Sequence, residues 1–258
     1  MASARAALSE LASREVTLQL AEELFAANRV IGDSSQLRAL LSDPSGDIEE
    51  KEAAIAAVFG PSLHAAAQKL LGVVTGSRWS GDGDLLDGIE ELAYRAAADS
   101  ADGSVSIDEE LFAFDSAVSS DNELELAVGS KLDDGGAKVA LVERLLADKV
   151  SAQTLAIVRH LVQVPRGRRI GAALRHAASV VADQAGLSVA TVTSAAPIAA
   201  AQLTRLRKSL SASHGRELRI NQVVDPSILG GLRVQIGDDV IDGSVASRLG
   251  ELRLQLAV

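Results

Sequence analysis

The chain has 258 residues, room for two or three domains at about 100–200 residues each, and 47% of them are apolar. Its formal charge of −10 opposes attraction to nucleic acid or anionic lipid, and with no cysteine it can hold no disulfide, thiolate nucleophile or Cys-ligated metal. Aromatics at 2% leave the cores to Ala, Leu and Val, a composition suited to closely packed helices.

The N-terminal "MASARAALSELASREVTLQL" lacks a continuous apolar stretch and carries Glu10 and Glu15, so no secretory leader is expected. The stretches "REVTLQLAEELFAANRVI", "DIEEKEAAIAAVF", "SLHAAAQKLLGVV" and "LLDGIEELAYRAAA" repeat apolar residues every three or four positions, and the first 185 residues read as helical throughout. Asp47, Ser62 and Asp84 are the expected N-caps, and Asp/Ser/Gly clusters at 32–35, 42–47, 80–84 and 99–106 are the expected breaks. Glu22-Glu23-Leu24-Phe25-Ala26 recurs as Glu109-Glu110-Leu111-Phe112-Ala113. The shift, 109 − 22 = 87, also superposes Leu37 on Leu124, Lys51 on Lys138 and Leu70-Leu71 on Ile157-Val158 without a gap. Two tandem helical domains are expected, at 1–98 and 88–185 with a boundary helix possible to both, followed by an α/β domain at 186–258.

After Gly186 the period changes to two. "LSVATVTSA" reads as a strand, and Pro197 to Ser211 as a helix with Pro at its first position and Ile198, Leu203, Leu206 and Leu210 on one side. Gln184 to Thr204 carries no charge over a bilayer's length, but its Ser/Thr content, alternation and Pro197 oppose a membrane span. His214-Gly215 ends that helix, "ELRINQVV" and "GLRVQI" are strands, and Gly237-Asp238-Asp239 turns the chain toward Val240-Ile241. Asp242 or Ser244 then caps a last helix with a Val245, Leu249, Leu252 and Leu256 stripe.

Nothing along the chain forms a catalytic set, and no cofactor is expected. His64, His160, His176 and His214 are scattered, without metal-ligand spacing or an orienting partner in sequence, and read as partly exposed helix positions. A calcium loop starting at Asp82 fails at Leu86 and Ala93, where oxygen ligands are required. Gly230-Gly231 is followed by Leu232-Arg233-Val234 and not by the Lys-Ser/Thr of a phosphate cradle, and Asp238-Asp239 fits a turn. From Arg159 to Arg219 ten basic residues stand against Asp183 and Glu217, a balance of 10 − 2 = +8. All six aromatics lie between Phe25 and Phe114, so the basic stretch has no stacking partners for nucleic acid; it reads as a solvated face or as a contact for an acidic protein surface.

"DPSILGGLRVQIGDDVIDGSVASRLGELRLQL" closely resembles the C-terminal signature of the delta subunits of F-type ATP synthases, the family of the oligomycin-sensitivity-conferring protein. The family's elements fall on Asp225, Pro226, Gly230, Gly231, Gly237, Asp238, Ile241, Asp242, Gly243, Ser244, Arg248 and Leu249. Each has a structural use: Gly for backbone freedom, Asp and Ser for turns and caps, Leu for packing. The likeness continues more weakly upstream to about Tyr94; Arg166 matches a family Arg, although "VPRGRR" departs from the usual Asn-Gly-Arg. The family usually has one helical domain, and two resemble its long form.

The resemblance implies a non-catalytic stator subunit, peripheral on the cytoplasmic side of a bacterial cell membrane. It would hold N-terminal helices of the alpha subunits and the C-terminal end of the b-subunit stalk, without inserting in the membrane. Leu111, Phe112, Phe114, Leu155 and Val158 are then candidates for an alpha helix and Leu249, Leu252 and Leu256 for the stalk, although each also fits plain core packing. A helical-repeat adaptor of another complex would share the first 185 residues but has no reason to carry the C-terminal signature. An enzyme binding a small anion in the basic stretch is the weakest of the three readings.

Overall fold

The computed structural model describes residues 1–12, 14–129, 135–237, 239–245 and 247. It resolves into two compact units, Met1–Val181 and Ala182–Val258. The architecture is mainly helical with a small C-terminal sheet, as expected.

The first unit is built from α1 (Ala2–Ser9), α2 (Leu18–Asp33), α3 (Ser35–Ser42), α4 (Ile48–Phe59), α5 (Ala65–Thr75), α6 (Asp82–Asp99), α7 (Ile107–Ser120), α8 (Asn122–Gly129), α9 (Gly135–Leu146), α10 (Ala152–Gln163) and α11 (Ile170–Gln184), whose last turn enters the second unit. Thr17 opens α2 by accepting the Leu20 amide (3.3 Å), and Leu20, Leu24, Phe25, Ala27 and Ile31 form its buried face. That face lies chiefly against α6, which buries Leu85, Ile89, Leu92 and Ala93.

Asp47 caps α4 as expected, accepting the Glu49 amide at 3.1 Å. Three local expectations are corrected. The cap of α5 is His64, because Ser62 bonds back to the Phe59 carbonyl (3.2 Å) and a carboxylate from α2, Glu23, receives the His64 amide (2.9 Å). Helix α6 starts at Asp82 after Gly81, so Asp84 lies in the first turn, where its charge faces the positive helix end. The break expected at 32–35 is one residue, Ser34, which closes α2 and caps α3 by accepting the Leu37 amide (3.2 Å).

A shift of 87 residues carries α3 onto α8 and α4 onto α9 end for end, and α5 onto α10 to within a residue. Side-chain chemistry follows the same register. Glu23 receives the amide at the cap of α5, and Glu110 receives the Ser151 amide (3.0 Å) at the cap of α10. Lys51 is buried, donating to the carbonyls of Asp43 (2.7 Å) and Thr75 (3.0 Å), and its counterpart Lys138 is buried too. The shifted α1 falls on positions 89–96, within α6.

The second unit orders its strands β2-β1-β3-β4, from β1 (Ser188–Ser194), β2 (Leu218–Val224), β3 (Leu232–Ile236) and β4 (Asp239–Asp242). Strand β1 pairs parallel with β2 (Ala190↔Ile220) and antiparallel with β3 (Val192↔Val234), and β3 and β4 form a hairpin. Helix α12 (Ala200–His214) connects β1 to β2, as a parallel pair requires. Ala190, Val192, Leu218, Val234 and Ile236 form the core, with Ile198, Leu206 and Leu210 packed on it. Pro197 precedes the Ala199 cap and is not the first helical residue as expected; the extended lead-in is what brings Ile198 to the core. Gly215, left-handed at φ 69°, ends α12.

Candidate functional site

In the second unit the segment from Asp225 to Ser244 is a chain of backbone-directed contacts. The Asp225 amide donates to the Ser194 carbonyl (2.8 Å), and its carboxylate accepts the Ser227 amide (2.9 Å), fixing the turn that carries Pro226. Gly230 and Gly231 have φ of 120° and 86°. A Cβ at Gly231 would run into the backbone of Gly243 and Ser244, so glycine alone fits there. Around that approach the Gly243 amide donates to the Leu232 carbonyl (2.9 Å) and the Val245 amide to the Gly230 carbonyl (3.0 Å).

Beyond β4, Asp242 accepts the Ser244 amide (2.9 Å), and Ser244 accepts the Ser247 amide (3.2 Å). Of the two expected caps, Ser244 accepts the amide three residues on and Asp242 fixes the turn before it; the helix expected after them lies largely outside the described residues. Hydrogen bonds to the Ser227 and Ser244 side chains and amides hold the Asp225 and Asp242 carboxyls below their ordinary range. Gly237 turns the hairpin at φ 57°. Asp238, Arg248, Leu249, Leu252 and Leu256 lie outside the described residues.

Among the described residues this scaffold carries several exposed apolar side chains. Leu229 is 79% exposed, and Val224, Val240, Ile241 and Val245 are also exposed. Leu229 borders a cavity with Ile228, Asp225, Arg233 and Asp242. Apart from Ile241 as a signature residue and Val245 in the helix stripe, sequence reasoning did not single these residues out, because alternation in a short strand cannot show which face stays uncovered.

In the first unit a buried polar cluster ties α6 to α10 and to the turn before α11. Glu90 accepts from His160 Nε2 (3.0 Å) and from two guanidinium nitrogens of Arg168 (2.7 and 2.8 Å). Arg166, held at φ 48°, donates to the Gly83 carbonyl (2.8 Å) and pairs with Asp87 (2.8 Å). Burial pushes the Glu90 carboxyl up, but the bonds from His160 and Arg168 and the Arg168 charge outweigh it, and its pKa falls to about 2. Burial lowers the pKa of His160, with Glu90 opposing and Arg29 and Arg168 assisting. Its ring stacks on Phe25 at 4.5 Å. Tyr94, fully buried beside Glu90, is raised well above the ordinary phenol range, first by burial.

Two sequence expectations change here. His160 is a buried hydrogen-bond partner of Glu90 and not a partly exposed helix residue; its orienting carboxylate lies seventy residues away, where spacing rules cannot see it. The basic stretch is in large part paired: Arg159 with Glu143, Arg166 and Arg168 with Asp87 and Glu90, Arg175 with Asp115, Arg216 with Asp183. Leu111, Phe112, Phe114 and Val158 are buried in the helical unit, and Leu155 is half-buried. Among the described residues, no three His, Asp or Glu converge as a metal site and no helix is long and apolar enough to cross a membrane.

The sequence matches the family model for the ATP synthase delta (OSCP) subunit over residues 4–82 and 92–256. It is 59% identical to the ATP synthase subunit delta of Leifsonia xyli over 97% of this chain and 94% of that one. The delta subunit of Pseudarthrobacter chlorophenolicus is 38% identical over 100% and 97%, and that of Streptomyces avermitilis 38% over 97% and 93%. A chain from the mitochondrial ATP synthase hexamer of Toxoplasma gondii is similar over 67% of this chain and 98% of its own, at 20% identity and a TM-score of 0.44.

Proposed function

The chain belongs to the ATP synthase delta (OSCP) subunit family, whose members are non-catalytic stator components, and from that premise we propose how it joins the head to the peripheral stalk. The helical repeats hold N-terminal helices of alpha subunits at the top of the alpha/beta head. The C-terminal unit holds the end of the b-subunit stalk, and the joint keeps the head from turning with the rotor. The single observation that carries this reading is the family match along nearly the whole chain, C-terminal signature included.

Three domains, 1–98, 88–185 and 186–258, are the proposed division, with α6 closing the first helical repeat and opening the second. The 87-residue register of helices and of the caps at Glu23 and Glu110 supports it. An alpha helix is proposed to lie along α7 and α10, where Leu111, Phe112, Phe114 and Val158 set the spacing of the two helices from inside and Leu155 reaches the surface. The stalk is proposed on the final segment with Leu249, Leu252 and Leu256. The exposed Leu229, Val240, Ile241 and Val245, which precede that segment in the chain, support that choice. Contacts that persist under torque need affinities on the order of nanomolar, about 12 kcal/mol. The complex would place the chain on the cytoplasmic face of the cell membrane.

The test is purification of the tagged chain from mildly solubilised membranes of its own host, with its companions identified by mass spectrometry. Recovery of alpha, beta, gamma and b in fixed ratio is expected; recovery alone, or with an unrelated complex, would sink the stator assignment. Leu155→Asp in the same preparation addresses the groove. If alpha remains bound at wild-type level to a folded variant, the α7–α10 assignment is wrong.

A further inference from the structure

The C-terminal sheet ends on β2, and one row of its backbone groups faces away from β1. In a parallel ladder alternate residues turn inward. The Ser188 amide donates to the Glu217 carbonyl (3.0 Å) and the Asp225 amide to the Ser194 carbonyl (2.8 Å). The odd-numbered residues therefore bond to β1, and Leu218, Ile220, Gln222 and Val224 turn their amides and carbonyls outward. At the start of that row the Leu218 amide is taken by the Ser211 hydroxyl of α12 (3.1 Å). Among the described residues, the amides of Ile220, Gln222 and Val224 have no acceptor. The opposite edge, β4, has four residues to the seven of β2 and offers a shorter row. Ser211 also lines a shallow cavity of about 590 Å³ with Arg207, Lys208, Arg216 and Glu217, so the outward row begins beside a basic cluster. Arg207 and Lys208 are exposed and have no ion pair among the described residues; Arg216 shares Asp183 at 3.4 Å, and Glu217 is the one carboxylate on the cavity. From Gln184 to Arg216 the sequence holds Arg205, Arg207, Lys208 and Arg216 and no acidic residue.

We propose that the outer edge of β2 takes an extended segment of a partner protein as a fifth strand of the sheet, with acidic residues on the segment where it passes the end of α12. The outward amides and carbonyls supply main-chain hydrogen bonds whatever the side chains, and alternate apolar residues on the segment would cover the half-buried Ile220 and the exposed Val224. Arg207, Lys208 and Arg216 supply the selection for Asp or Glu. Running antiparallel, the more stable pairing per residue, the segment brings its C-terminal end to this cluster. A second copy of the chain is the poorer occupant. Paired antiparallel through the same edge it would bring the end of β2 to the cluster, and the carboxylate there, Asp225, is already committed to the Ser227 amide. The exposed Val240 and Ile241 that support the stalk position lie on β4, at the opposite edge, so this contact is additional to that one.

The test uses the purified full chain and needs no other subunit, so its outcome is independent of the stator reading. The probe is a short fluorescein-labelled peptide alternating Val and Thr and ending in Asp-Glu-Asp, with a Lys-ended twin as control, both read by anisotropy. The acidic peptide is expected to bind and to slow hydrogen exchange at the Ile220, Gln222 and Val224 amides. The double variant Arg207→Glu with Lys208→Glu, at two exposed positions, is expected to weaken it about tenfold or more. N-methylation of one alternate row of peptide amides is expected to abolish binding, and of the other row to leave it, with no change to the protein. No binding by the wild-type chain, equal binding of the two peptides, loss with neither methylated row, or protection confined to other amides would each overturn the proposal. A concentration-dependent dimer that by itself protects these three amides would overturn it too, since the edge would then belong to a second copy.

Discussion

Glu90 accepts from His160 and from two guanidinium nitrogens of Arg168 inside the helical unit, and these partners make its ionisation a stability term. Glu90→Gln keeps the shape and removes the charge that Arg168 and His160 face. It should lower unfolding free energy by about 2 kcal/mol, read from the urea midpoint. The pH dependence follows from the directions of the shifts. Unfolded His takes up a proton near pH 6.5, while burial, with Arg29 and Arg168, keeps the folded imidazole neutral against the pull of Glu90. Below that pH the unfolded state binds more protons, so stability falls with falling pH. Glu90, depressed from 4.5 to about 2, adds a loss of the same sign between those values. A urea midpoint lower at pH 5 than at pH 7.5, with the difference shrinking in His160→Gln, is the expected result. In the other unit, Gly231→Ala forces a left-handed backbone onto a residue with a Cβ and drives it against Gly243. A loss of about 2 kcal/mol or more should show in the transition of the C-terminal unit.

At the scale of elements, the two helix sets related by the 87-residue shift begin a helix by the same device, a carboxylate from α2 or from its counterpart α7 set on the cap of α5 or α10. Glu23 takes the His64 amide and also meets the imidazole; Glu110 takes the Ser151 amide, the Ser151 hydroxyl (2.6 Å) and the Thr154 hydroxyl. Glu110→Ala should therefore cost more than Glu23→Ala, about 2 against about 1 kcal/mol. Hydrogen exchange should quicken at the first turn of α10 in the one variant and of α5 in the other. Comparable losses at both sites, or exchange that quickens elsewhere, would contradict the paired-cap reading. The Glu-Glu-Leu-Phe-Ala repeat was legible as a pattern, and its second Glu is this cap. That it reaches the start of a helix some forty residues on was not legible, because a cap from another element leaves no trace at the N-cap position itself. Ser62 looked like a cap for that reason, and His64 did not.

At the scale of the whole chain, α6 lies between the helices that the 87-residue shift relates, and its Leu85, Ile89, Leu92 and Ala93 are buried in the helical unit, chiefly against α2. A chain beginning at Asp82 would expose that face to water. Despite retaining all of the second repeat, it should bind a hydrophobic dye and lose the cooperative thermal transition of the helical unit. A truncated chain that melts cooperatively near the wild-type midpoint would show that the second repeat does not depend on the first.

Composition, helical and two-residue periods, the 87-residue shift and the Asp225–Ser244 signature were determined by the sequence alone, because each is a local relation between residue type and backbone. They sufficed for a mainly helical chain with a small α/β end and for its family. The tertiary structure decided which polar residues are buried together. Glu90 with His160 and Arg168, and the ion pairs across the basic stretch, join residues far apart in the chain. Desolvation and pairing energies depend on what packs around a group, and that is set by long-range contacts rather than by spacing along the chain.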